Sequence, residues 1–135
     1  HDMGLDDCVE FTGRVPDQKM LEYLNTADVC VNSDKYNSMN DKSTMNKILE
    51  YMALAKPIVQ FNLTEGRYSA QEASLYAKNN DAIDMAQKII ELLNDPEKRQ
   101  RMGEYGHNRV VSELSWEHTS KALLEGYEKL FTGKF

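Results

Sequence analysis

The feature that most constrains this chain is an alternation in which short apolar, β-branched runs take turns with stripes of helical period. Val9-Glu10-Phe11, Val29-Cys30-Val31 and Pro57-Ile58-Val59-Gln60-Phe61 are too short for helices and are bounded by turn-forming residues, so each reads as a strand. Pro57 stands first in its run, where a strand tolerates proline. Leu75-Tyr76-Ala77 reads as another short strand. Between them, Pro16 to about Asn25 predicts a helix with Met20, Leu21 and Leu24 on one face. Met45, Ile48, Leu49, Met52 and Ala53 form a second stripe at i, i+3, i+4, i+7, i+8. The stretches Ser33–Lys42 and Asn62–Ser69 carry no period and read as loops, with a helical turn near Ala70–Ala73.

After residue 77 the pattern is helical. Asp81 to Leu93 places Ala82, Met85, Ala86, Ile89, Ile90 and Leu93 on an apolar face. Asp95-Pro96-Glu97 supplies a cap, a first-turn proline and an acid, starting a helix to about Glu113 in which Gly103 and Gly106 are weak points. Ser115 caps a last helix to about Thr132, with Trp116, Leu123, Tyr127 and Leu130 as its face. Trp116 is expected to anchor that helix. Leu130, Phe131 and Phe135 should be exposed or covered by another surface. Strands alternating with helices imply parallel β-α-β units with right-handed crossovers. The expected fold is one Rossmann-like α/β domain, a parallel sheet with helices on both faces.

Composition excludes several functions. A formal net charge of −6 argues against nucleic-acid binding, which needs a cationic face. No apolar run approaches the roughly 18 residues of a membrane span, and no secretory signal opens the chain. Cys8 and Cys30 lie apart without CxxC spacing and read as buried free thiols of a reducing, cytoplasmic protein. The three histidines have no metal-ligand spacing.

Open α/β sheets bind ligands beyond the carboxyl ends of their strands. Two polar segments leave strands there: Thr12-Gly13-Arg14-Val15, and the Ser33–Lys42 loop that runs into Ser43-Thr44-Met45-Asn46. If Ser43 opens a helix, its first amides lack intrahelical partners and make an anion site. Ser43, Asn46 and Glu50 then share one polar face, with Glu50 roughly 10 Å along the axis, about the reach from a diphosphate to its ribose. On spacing alone, a glutamate between Leu49 and Tyr51 is ordinarily a solvated helix residue. A capped helix start is ordinarily only a cap.

Seven segments in register resemble one family. They are Val9–Val15, Leu24–Val31, Asn40–Ala53, Lys56-Pro57-Ile58-Val59, Leu92–Pro96, Arg101-Met102-Gly103 and Leu114-Ser115-Trp116. Together they are similar to the second half of the donor domain of retaining group 1 (family 4) glycosyltransferases, which have the GT-B fold. The Asn40–Lys47 stretch resembles a subgroup that includes bacterial enzymes building surface polysaccharides and lipopolysaccharide.

The resemblance implies that Glu50 holds the ribose hydroxyls of a UDP- or GDP-type sugar donor. It implies that the amides of Ser43, Thr44 and Met45 meet the diphosphate, and that Gly13 and Arg14 lie beside the base. The family's other glutamate would fall at Lys42, and neighbouring Asp41 is the expected substitute toward the donor sugar. Family members usually carry Gly where this chain has Ala55, so a left-handed Ala55 is expected there. The resemblance further implies no metal or other cofactor, no catalytic residue assignable within this chain, and an N-terminal acceptor domain as partner. Residues 1–135 would then be an incomplete donor domain, inactive alone, from an enzyme that associates peripherally with the inner face of the membrane. Two other readings stay open: a non-catalytic α/β binding module, and a nucleotide-sugar 2-epimerase of the same fold.

Overall fold

The computed structural model describes residues 4–133. Its sheet holds β1 (Cys30–Asn32), β2 (Ile58–Phe61) and β3 (Ser74–Ala77), all parallel and in chain order. Cys30 stands opposite Ile58, and Ile58 opposite Ser74. The crossovers are made by α2 (Asn46–Ala53) and α3 (Thr64–Ala70), the second followed by a 3-10 turn at Gln71–Ala73. Successive residues of β2 face opposite sides. Val59 and Phe61 pack with Met85 and Leu92 of α4 (Ala82–Leu93) and Met102 of α5 (Pro96–Arg109). Ile58 packs with Ile48 and Met52 of α2 and with Ala70 and Ala73. Helices therefore cover both faces, which is why all of β2 is buried and its sequence shows no alternation.

The caps of the C-terminal half match their sequence signals. Asp81 accepts from the amides of Ile83 and Asp84 to start α4, and Asp95 accepts from Lys98 with Pro96 in the first turn of α5. Helix α2 ends in a Schellman motif, Lys56 N–H to Tyr51 O and Ala55 N–H to Met52 O, both 2.9 Å. Ala55 is left-handed at φ 53°. The glycines of α5 are close-approach points rather than weak ones. A Cβ on Gly103 would lie 2.0 Å from the Ala55 carbonyl oxygen, and one on Gly106 would press on Ala73 and Met52.

Several elements differ from expectation. Val9–Phe11 is not a strand: among the described residues it pairs with no other strand, and the Val9 N–H donates back to the Leu5 carbonyl; Phe11 is 94% exposed. The helix that begins after Pro16 forms as α1 (Asp17–Thr26), yet buries no residue, and Met20 and Leu21 stay exposed. Lys56 Nζ ties its end down by donating to the carbonyls of Asn25 and Ala27. Of the two thiols only Cys30 is buried; Cys8 is exposed. The 62–69 stretch is mostly α3 rather than loop. On α4 the buried positions are Met85 and Leu92, so Ile90 and Leu93 turn outward.

Helix α5 ends at Arg109 and continues as a π-helical turn, Val110–Leu114, closed by Ser115 N–H to Val110 O at 2.8 Å. The last helix, α6 (Trp116–Thr132), buries nothing, and Ser115 starts it through its backbone carbonyl rather than its side chain. Trp116 is 68% exposed and is no anchor: α6 meets the domain chiefly at the π-helical turn, leaving the indole no core surface. Leu130 and Phe131 are exposed, as expected, whereas Phe135 lies outside the described residues.

Candidate functional site

The loop leaving the carboxyl end of β1 is ordered by its own side chains. Asn37 Oδ1 accepts from the amides of Met39 and Asn40, and Asn40 Nδ2 donates to the Lys35 carbonyl. A 3-10 turn, Asn40–Lys42, follows. Ser43 is extended, with its hydroxyl donating to Met39 O at 2.7 Å. Met45 is the extended residue before α2, so the helix opens at Asn46 and not at Ser43. Local bonding of Ser43 back into the 3-10 turn competes with helix there. The first amides of α2 still lack intrahelical acceptors, and no side chain caps them.

Ile48 and Met52 turn inward, so Asn46 and Glu50 stand on the opposite, exposed face. Glu50 lies one turn beyond Asn46, about 6 Å along the axis, and its carboxylate makes no hydrogen bond or ion pair among the described residues. Burial, then the neighbouring Cys30, Glu50 and Asp34, pushes the adjacent Tyr51 hydroxyl above its ordinary range. Beside the turn, Lys47 pairs with Asp34 at 2.8 Å.

Asp41 is tied to the first residue of α3. Its two carboxylate oxygens accept from the backbone N–H of Thr64 at 2.8 Å and from the Thr64 hydroxyl at 3.0 Å. Thr44 donates its hydroxyl to Glu65 at 3.1 Å. The structure thus gathers Asp41, Ser43, Thr44, Met45, Asn46 and Glu50 around the start of α2, and adds Thr64 and Glu65. Those two escaped the sequence reading because Leu63, not a capping residue, precedes α3. Lys42 is exposed and brings no acid to this place. Gly13 is left-handed at φ 62° and Arg14 is exposed, and no hydrogen bond or ion pair among the described residues links them to α2. Among the described residues no cluster of His, Cys, Asp and Glu could hold a metal ion, and no helix is long and apolar enough to cross a membrane.

Comparison with known proteins gives this geometry a context. Residues 1–95 match the profile of the family described as glycosyl transferases group 1. The chain is 26% identical over 129 residues to alpha-maltose-1-phosphate synthase of Mycolicibacterium smegmatis, covering 86% of this chain and 31% of that protein. It is 32% identical over 87 residues to spore coat protein SA of Bacillus subtilis, covering 59% of this chain and 22% of that one. Among solved structures, sucrose-phosphate synthase from Thermosynechococcus elongatus superposes with a TM-score of 0.79 at 23% identity, over 98% of this chain and 33% of that chain. The chain therefore spans a third or less of each of these proteins, and its α/β fold is that of a GT-B glycosyltransferase domain. With more than half of its residues matched, the chain belongs to the group 1 glycosyltransferases.

Proposed function

We propose that this chain is the donor-binding part of a retaining transferase that moves a sugar from a nucleoside diphosphate to an acceptor hydroxyl. The observation that carries it is the start of α2. There, amides without intrahelical acceptors stand one turn from Glu50, an exposed carboxylate with no hydrogen-bonding or ion-pair partner among the described residues. In this reading the amides of Thr44 to Asn46 meet the diphosphate and stabilise it as it leaves, an electrostatic contribution made by oriented dipoles, while the Ser43 N–H is held by the Asn40 carbonyl. Glu50 accepts from the ribose hydroxyls, as the acid of a dinucleotide site does. The bond from the anomeric carbon to phosphate oxygen breaks, one to the acceptor oxygen forms, and the acceptor proton is released. The base and the sugar are read as UDP- or GDP-type and a hexose, with no metal needed where helix amides face the phosphates. Gly13 and Arg14 are read as lying beside the base.

An acceptor domain in the same protein is part of the proposal, and it gives the apolar face of α6 a surface to meet. The chain alone then transfers no sugar. The whole enzyme is read as one of surface-polysaccharide synthesis, working at the cytoplasmic side of a membrane. The test is titration of UDP and GDP into the full-length protein and its Glu50→Ala variant. At least ~10-fold weaker binding, about 1.4 kcal/mol, with an unchanged melting temperature is expected. Wild-type affinity in the variant removes Glu50 from the site.

A further inference from the structure

Helix α3 has seven residues, and the residue before it, Leu63, has no side-chain acceptor to offer its first amides. The acceptor comes from elsewhere in the chain. Asp41, in the 3-10 turn that leads to α2, reaches 23 residues ahead to Thr64, the first residue of α3, and takes both its N–H and its hydroxyl. One residue on, Glu65 takes the hydroxyl of Thr44. The segment from Asp41 to Thr44 is therefore fastened at both ends to the first turn of another helix. That segment leads directly into the Thr44–Asn46 amides the proposed donor site uses. A carboxylate at a helix N-terminus is also favoured by the helix dipole, so the bond has a reason to persist without a ligand.

We infer that Asp41 is a positioning residue of the donor site: it acts through Thr64 to hold the Thr44–Asn46 amides in place and does not itself touch the donor sugar. The inference rests on the donor-site reading above. Both oxygens of Asp41 are already engaged. A sugar hydroxyl would have to share oxygens whose direction is already set by the 2.8 and 3.0 Å bonds to Thr64. Thr64 becomes functional at a distance, although nothing in its sequence position marks it.

The partner can be removed without touching Asp41. Thr64 is the first helical residue, where proline is tolerated, and Leu63 before it is extended at φ −87°, ψ 144°, as a pre-proline residue prefers. Thr64→Pro deletes the N–H and the hydroxyl together. Asp41→Asn keeps an acceptor for the N–H and gains a donor for the hydroxyl. In the full-length protein, UDP and GDP are titrated into wild type, Asp41→Ala, Asp41→Asn, Thr64→Pro and the double variant of Asp41→Ala with Thr64→Pro.

Asp41→Ala and Thr64→Pro should each weaken binding about 5- to 10-fold, roughly 1–1.4 kcal/mol. The double variant should be no worse than either alone, because both remove one interaction. Asp41→Asn should restore most of the affinity. Multiplicative losses in the double variant, or an Asp41→Asn as weak as Asp41→Ala, overturn the positioning role and return the carboxylate to direct contact. Wild-type affinity in both Asp41→Ala and Thr64→Pro overturns it too. If the wild-type protein binds neither nucleotide, the donor-site reading itself fails, and this role fails with it.

Discussion

Ala55→Gly isolates the backbone from everything else at the end of α2. Ala55 adopts φ 53°, a left-handed conformation that costs an L-residue with a Cβ about 1–2 kcal/mol. Its methyl is exposed, so glycine loses little packing there. The Schellman bonds run through the Ala55 and Lys56 amides, which glycine keeps. Against the relief stands the greater freedom of glycine in the unfolded chain, about 0.4–1 kcal/mol. The balance is stabilisation by about 0.5–1 kcal/mol, or about 2–4 °C in Tm for a domain of this size. A urea melt of the two proteins decides it: the midpoint should rise at unchanged slope. A lower midpoint would show that the strain is already relieved elsewhere in the turn, and that the close Gly103 approach does not depend on a left-handed residue 55.

The opposite substitution across that contact, Gly103→Ala, should cost about 2–3 kcal/mol in the same melt, because its Cβ meets a backbone oxygen that cannot rotate away. Gln60 is fully buried, its Oε1 has no hydrogen-bond partner among the described residues, and its Nε2 makes one long bond of 3.3 Å to the Gly66 carbonyl. Gln60→Met should therefore stabilise the protein by about 1 kcal/mol, and a loss of stability would show that the amide is satisfied after all. Burial pushes the Cys30 thiol up to about 11 despite nearby Lys56, whereas Cys8 is exposed. At pH 8 a thiol reagent should titrate one cysteine in the native protein and the second only in denaturant. A hydrogen bond from Lys98 holds the Glu91 carboxyl below the usual carboxylate range. Its contribution is present above the unfolded pKa and disappears as pH falls through the folded one, so Lys98→Met should flatten the acid limb of a stability–pH curve.

What was legible in the sequence was whatever depends on local pattern. The runs at Val29–Val31, Pro57–Phe61 and Leu75–Ala77 became strands because β-branched and aromatic residues fit a covered parallel sheet. The caps Asp81 and Asp95 act within their own turns and so announce themselves. The left-handed Ala55 was legible through the resemblance. What was hidden depends on partners far along the chain. Val9–Phe11 has strand composition but nothing to pair with among the described residues. The Trp116 stripe has helical period but no core surface beneath it. In the site, Glu50 could be placed from its helix face, while the role of Asp41 could not, because its partner lies 23 residues away and is invisible to spacing. The helix start slipped from Ser43 to Asn46 because Ser43 bonds backward into the 3-10 turn.

Helix α3 was missed for the same reason, and this bears on when it forms. Seven residues are too few to sustain a helix in water. Both ends of α3 are completed from outside. Asp41 takes the first N–H, and Arg109, buried and paired with Glu113, donates to the carbonyls of Tyr68 and Ser69 in the last turn. One partner precedes α3 in the chain and the other lies 40 residues after it. The helix can then condense only after α2 and α5 have docked on the sheet, and it belongs to the late side of the folding barrier. Substitutions at Asp41 or Arg109 should accelerate unfolding and leave the folding rate nearly untouched.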